Sequence, residues 1–159
     1  MDISLDQIKS ASRIVYAVMQ PTPQYRWPLL CENLGTEIWV KHENQTPIGS
    51  FKLRGGLVYF SQLVNTSEKP ITVVSATKGN HGQSVGYAAR KYGIQAQIIV
   101  PYGNSKEKNN AMRSLGVKLI EHGKDFQSAR EYALMIAHEN SLKMIPSFDR
   151  LLVTGVATY

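Results

Sequence analysis

The stretch Lys41-His42-Glu43-Asn44-Gln45-Thr46-Pro47-Ile48-Gly49-Ser50-Phe51-Lys52-Leu53-Arg54-Gly55-Gly56 decides how the rest of the chain is read. It leaves an apolar strand at Val40 and runs through a turn into a helix. Ser50 is a natural N-cap for that helix, because its hydroxyl can accept from an amide two or three residues on. That places Lys52 in the first helical turn, against the positive end of the helix dipole, where a cation is unfavourable. A local rule broken at a sharply punctuated turn points to a functional site. The alternative is a solvated surface lysine. Gly55 and Gly56 cost helix stability. Close approach of the backbone to a ligand, or to another element, would offset that cost.

Working outward from this turn, Ser4-Leu5-Asp6-Gln7 reads as a capping box. Leu5, Ile8, Ala11, Ile14, Val15 and Val18 then recur at helical spacing, up to Pro21. A short helix from Leu29 to Leu34 is closed by Gly35, and Thr36 to Lys41 is a strand. On the other side, apolar strands alternate with helices. The strands are Ile71–Ser75, Ala96–Val100, Val117–Glu121 and Lys143–Ile145. The helices are Asn80–Tyr92, Ser105–Leu115 and one capped by Asp125. This alternation predicts an α/β fold with a parallel sheet and flanking helices.

Ligands of such sheets bind at the carboxyl ends of the strands. There the sequence places Ser75-Ala76-Thr77-Lys78-Gly79-Asn80-His81-Gly82-Gln83-Ser84, a strand end, then a turn and a helix start. Amides of Gly79, Asn80 and His81 would form an anion site at the positive end of the helix. The alternative is a capped helix in which Asn80 satisfies its own first turn.

The 159 residues amount to one ordinary domain, or a domain and part of another, and 43% are hydrophobic, enough for a real core. No run approaches the ~18 apolar residues of a membrane span, and Met1-Asp2-Ile3-Ser4 does not open a secretory signal. The single cysteine, Cys31, excludes an internal disulfide framework and suits a reducing, cytoplasmic setting. The net charge of +6 comes from scattered residues with no basic stripe among aromatics, which argues against nucleic acid and suits small anions. His42, His81, His122 and His138 show no metal-ligand spacing.

Ser50-Phe51-Lys52-Leu53-Arg54-Gly55 resembles the lysine signature of the fold-type II pyridoxal-phosphate enzymes (the tryptophan synthase β-like fold). It is most similar to the threonine/serine dehydratase branch, which shares Ser-Phe-Lys-x-Arg-Gly. Leu53 stands where sulfhydrylases and threonine synthases carry aspartate. The stretch at Thr77–Gln83 resembles the same family's substrate loop, Ser-x-Gly-Asn-His-(Ala/Gly)-Gln. The similarity runs on through Tyr102, Lys106, Ala111, Leu115-Gly116, His122-Gly123 and Ala129-Arg130-Glu131, covering the chain from about Thr22.

The resemblance implies the cofactor pyridoxal 5'-phosphate, held covalently by Lys52, with Phe51 beside its ring and Asn80 bonded to the ring oxygen. It implies that Thr77, Gly79, Asn80 and His81 line a substrate carboxylate site. Lys78 departs from the family pattern, and its charge would suit an acidic substrate such as a hydroxyaspartate. The implied reaction is dehydration and deamination of a hydroxy amino acid, such as L-threonine or L-serine, to a 2-oxo acid and ammonia.

The family's glycine-rich phosphate loop and C-terminal serine or cysteine have no counterpart here, so the chain resembles an incomplete, N-terminal half. The expected division is 1–60 for the first part of the large domain with the lysine helix, 61–147 for the small domain, and 148–159 for the start of the second half. Expected partners are the small substrate, a further copy of the chain or a complementing C-terminal half, with no membrane and no metal. The alternative function is a non-catalytic fragment that binds an anion or a partner.

Overall fold

The computed structural model describes residues 2–66 and 69–159. The chain opens with helix α1 (Leu5–Tyr16), whose capping box forms as the sequence predicts. The Ser4 amide donates to Gln7 Oε1 at 2.9 Å, and the Gln7 amide donates to Ser4 Oγ at 3.3 Å. Next comes a two-stranded antiparallel ribbon, made of β1 (Gln24–Arg26) and β2 (Trp39–Lys41). Helix α2 (Pro28–Leu34) connects them and ends at Gly35, whose φ of 62° is the left-handed conformation that glycine adopts without cost. The sequence pattern reveals β2 but not β1, because Gln-Tyr-Arg between two prolines has no apolar run.

The remaining elements are α3 (Lys52–Leu63), β3 (Thr72–Ala76), α4 (Asn80–Lys91), β4 (Gln95–Val100), α5 (Lys106–Ser114), β5 (Lys118–Glu121), α6 (Phe126–Glu139), β6 (Lys143–Met144) and α7 (Arg150–Val156). Strands β3 to β6 form one parallel sheet in the order β5-β4-β3-β6. Parallel sheets need cover on both faces, and this one has it. Val73, Ala96, Ile98 and Val100 pack with Phe60 of α3, Val85 and Ala88 of α4 and Met112 of α5. Val74, Ala76 and Ile99 point the other way, onto Ala129, Ala133 and Ile136 of α6. Among the described residues, no helix is long and apolar enough to cross a membrane.

Helix α7 has no counterpart in the sequence-based pattern. Asp149 starts it by accepting from the Leu151 amide at 2.7 Å. It lies against α3 so closely that only glycines fit between the two backbones. A Cβ on Gly55 would stand 2.6 Å from the Leu152 carbonyl oxygen, and one on Gly155 would stand 2.5 Å from that of Arg54. A Cβ on Gly56 would meet the Ser84 hydroxyl of α4 first, and the Ser84 carbonyl oxygen at 3.1 Å. Both glycines of the lysine helix are therefore explained by neighbouring helices. In an open helix Gly→Ala gains about 0.5–1 kcal/mol. Here Gly55→Ala forces two backbones apart, an overpacking cost of about 1–3 kcal/mol. Net destabilisation is expected, read as a lower urea midpoint with an unchanged slope.

Candidate active site

Lys52 is the first residue of α3, as the sequence predicts, but Ser50 does not cap the helix. The residue before the helix is Phe51, in a helical conformation and without a side-chain cap. Ser50 enters through a tighter backbone bond: its carbonyl accepts from the Leu53 amide at 3.5 Å. Thr46 secures the turn instead. Its hydroxyl donates to the Ser50 carbonyl at 2.8 Å and accepts from the Ser50 amide at 2.9 Å. The Ser50 hydroxyl is left buried and without a hydrogen-bond partner. The expected cap does not form: the Leu53 amide, which the hydroxyl would accept from, bonds the Ser50 carbonyl instead.

The Lys52 side chain is half-buried, has no ion pair among the described residues, and lies with Nζ 5.4 Å from the centroid of the Phe51 ring. It opens into a pocket of about 220 Å³. Phe51, Gly55 and His81 line it on one side, and Ser147, Phe148, Leu152, Val153 and Val156 on the other. The start of α3 is fixed to α4 by Ser84, whose hydroxyl donates to the Lys52 carbonyl at 2.7 Å.

His81 is 7% exposed, and its Nε2 has no hydrogen-bond partner. Burial, reinforced by the charge of Lys52 and opposed by a hydrogen bond with the Ile145 backbone, lowers its pKa to about 4. The imidazole is thus neutral at pH 7. His81 lines the same pocket, and its buried, unpartnered nitrogen is a polar group that a bound ligand could satisfy.

The strand-end loop is arranged differently from the predicted amide cluster. The Gly79 amide donates to Thr77 Oγ1 at 3.1 Å, so one of the three expected anion donors is used internally. Asn80 and His81 keep places in the first turn of α4, where amides lack an intrahelical acceptor. Lys78 and Asn80 are exposed, and Thr77 and Gly79 are buried. The aliphatic stem of Lys108 covers Gly79, with Cδ 3.0 Å from where a Cβ would stand. The structure therefore gathers Phe51, Lys52 and His81 around one pocket. Thr77, Lys78, Gly79 and Asn80 form the adjacent loop and do not line it.

Sequence reasoning misses the pocket's far wall, because it comes from α7. It also leaves Arg54 as no more than a motif letter. Arg54 is fully buried. Its Nε and Nη2 donate to the two carboxylate oxygens of Glu43 at 2.8 and 2.9 Å. Nη1 donates to the Tyr16 hydroxyl at 3.2 Å and to the Thr158 carbonyl at 3.3 Å, and Nη2 to Thr22 Oγ1 at 3.4 Å. One guanidinium thus joins α1, α3, the segments before β1 and after β2, and the residues after α7. Burial raises the Glu43 pKa, but the hydrogen bonds from Arg54 and Thr22 and the charges of Arg54 and Lys41 outweigh it and hold the carboxyl below its ordinary value.

The chain is thus a parallel α/β protein with a pocketed lysine at the start of a helix. Residues 15–159 match the pyridoxal-phosphate dependent enzyme family, and the chain belongs to it, with the fold-type II architecture. It is 36% identical over 152 residues to the L-threonine dehydratase biosynthetic IlvA of Haemophilus influenzae, covering 95% of this chain and 29% of that protein. The processed form of threonine deaminase isoform 2 from Solanum lycopersicum superposes with a TM-score of 0.82 at 29% identity, over 98% of this chain and 47% of that one. A pyridoxal 5'-phosphate-dependent aspartate racemase superposes with a TM-score of 0.91 at 25% identity, over 98% of this chain and 49% of that one. The chain thus spans less than a third of the length of the curated relative, and just under half of these solved chains.

Proposed function

We propose that this chain carries the lysine-bearing part of an ammonia-lyase that converts a hydroxy amino acid, such as L-threonine or L-serine, to a 2-oxo acid and ammonia. The observation that carries this is Lys52, an amine without an ion pair in a pocket it shares with a buried, unpartnered nitrogen of His81. These residues fit the aldehyde and ring end of pyridoxal phosphate: a free amine, an aromatic neighbour in Phe51, and an unsatisfied polar atom. When bound, the cofactor supplies the aldehyde that Lys52 engages and a ring that takes up charge from the substrate Cα.

The chain's own residues would divide the work between them. Lys52 Nζ would hold the cofactor and would take the proton from the substrate Cα. Phe51 would flank the ring, and Asn80, on the adjacent loop, would bond its oxygen. The first-turn amides of Asn80 and His81 would orient the carboxylate, with Thr77 and Gly79 shaping the loop before them. The substrate hydroxyl departs as water, and a water molecule is consumed when the nitrogen is released as ammonia, so the two balance. Lys52-dependent cofactor binding is the experiment that tests this function, and its expected outcome opens the Discussion.

Lys78 lies exposed at the edge of this loop without an ion pair among the described residues. We assign it to contact with a second carboxylate, as in a hydroxyaspartate. An exposed charge pair is worth about 0.2–1 kcal/mol. Lys78→Ala in the active assembly should therefore cost up to about fivefold in rate on hydroxyaspartate relative to threonine and serine. Unchanged relative rates would remove Lys78 from substrate choice.

The same proposal divides the chain into 1–60, 61–147 and 148–159. Support comes from the four-stranded sheet lying between Thr72 and Met144, while α1 packs on α3 in a separate core of Ala11, Val15, Leu53 and Leu57. A cytoplasmic setting goes with it, supported by the unpaired, buried Cys31. A second function, binding a partner without catalysis, is favoured by the exposed apolar side chains around β1, α2 and β2.

A further inference from the structure

We propose that a second cavity, which shares a wall with the lysine pocket, binds a small monocarboxylate with a branched apolar body. The cavity follows from the unequal lengths of two paired strands. β6 pairs with β3 at Val73↔Lys143 and Val74↔Met144, whereas β3 runs on to Ala76. The Ile145 amide still donates to the Val74 carbonyl at 2.8 Å, but Pro146 has no amide to continue the ladder. Past that point no described strand covers Ala76 on this edge, and a space of about 280 Å³ opens. Helix α6 supplies one wall. Ala129, Ala133 and Ala137 seat it on the sheet. Phe126, Arg130 and Leu134, four residues apart, form the next stripe round the helix and line the cavity.

The lining selects the ligand. Its side chains are apolar except for Arg130 and Ser147. Arg130 is exposed and makes no ion pair or side-chain hydrogen bond among the described residues. The neighbouring carboxylate, Glu131, is engaged elsewhere, accepting from Gln127 Nε2 at 2.8 Å. A guanidinium offers a planar fork that matches a carboxylate. Leu134 and Phe148, 41% and 70% exposed, are large apolar groups that a bound hydrocarbon would cover. An apolar pocket with a few polar groups is the usual form of a small-molecule site. Drug-sized ligands take pockets of about 300–1,000 Å³, so the ligand here is smaller. Ser147 and Phe148 also line the lysine pocket, so the ligand would lie directly behind that pocket's wall. The proposal rests on this cavity and not on the catalytic reading above.

The test is an NMR titration of the present chain carrying isotope-labelled methionine methyls. Met144 lines the cavity, while Met19 and Met112 lie in other parts of the core. The probe is isocaproate, with isocaproamide and acetate for comparison. The expected result is a saturable shift of the Met144 methyl with isocaproate, while Met19 and Met112 stay in place. The amide should bind about fivefold more weakly, the upper value of an exposed charge pair. Acetate, which lacks the apolar body, should give no saturable shift. Arg130→Met keeps the stem and loses the charge, so acid and amide should then bind alike. The acid–amide comparison in the unsubstituted protein stands by itself whatever that substitution does to folding. Lys52→Ala should leave the Met144 shift unchanged, which separates this test from that of catalysis. A Met144 methyl that does not move overturns the proposal, as does equal binding of acid and amide in the unsubstituted protein, or an acid that keeps its advantage in Arg130→Met. Loss of the shift in Lys52→Ala would also overturn it, by placing the acid in the lysine pocket.

Discussion

Lys52→Ala should abolish the saturable visible absorbance that develops when the protein is titrated with pyridoxal phosphate, together with covalent fixation of the cofactor by borohydride. Alanine removes the only amine on the pocket wall: among the residues lining the cavity, Lys52 alone carries one. The fold should survive. The side chain is half-buried and takes part in no ion pair among the described residues, and alanine is a better helix former than lysine at the positive end of a dipole. Lys52→Ala is therefore expected to leave the thermal midpoint unchanged or slightly raised while binding is lost. In an assembly that releases ammonia from threonine or serine, the rate should fall on the order of a thousandfold or more, since one group serves as both covalent holder and proton acceptor. A band equal in the alanine protein would mean that another lysine reacts. That outcome would favour partner binding over catalysis.

Arg54→Ala should do the reverse, leaving the pocket's amine in place and unfolding the structure around it. Removing one partner of a buried ion pair costs about 3–5 kcal/mol. A domain has about 5–15 kcal/mol in all. The substitution leaves the Glu43 carboxylate, the Tyr16 and Thr22 hydroxyls and the Thr158 carbonyl without their shared donor. Arg54→Lys should recover little, because an ammonium cannot supply the two parallel bonds to Glu43. Acid should reproduce part of the effect in the unsubstituted protein. The Glu43 carboxyl is held below its ordinary value of 4.5, so its contribution is complete above that value and is lost as pH falls below it, through the folded-state pKa. Urea midpoints measured as a function of pH should decline through that window, and Glu43→Gln should flatten the decline.

Most of the parallel sheet is legible in the sequence because its strands are buried on both faces and read as apolar runs closed by glycine or proline. Val73-Val74 and Ile98-Ile99-Val100 are of this kind. Strand β1 is not legible, since its three residues are polar or exposed and pair only with β2. Helix α7 is hidden for a related reason: Val153-Thr154-Gly155-Val156 has strand-like composition, and its helical state depends on packing against α3. Lys52, Phe51 and His81 are readable from the two motifs and do share a pocket. The motifs do not reveal that Thr77 takes up the Gly79 amide, nor that the Leu53 amide bonds the Ser50 carbonyl and not its hydroxyl. Both depend on which oxygen reaches a backbone amide, a matter of ångströms that residue types do not encode. Arg54 stands in plain view, but its partners lie up to 104 residues away.

That separation bears on how the lysine is seated during synthesis. Chains emerge amino end first, and contacts distant in sequence must await their later partner. The Arg54 guanidinium and the Gly55 backbone find their remaining neighbours only in α7 and Thr158. The nascent chain can thus complete its central sheet while the lysine helix is still unclamped. The Lys52 side chain acquires its α7 neighbours only after the strands of the sheet have been made.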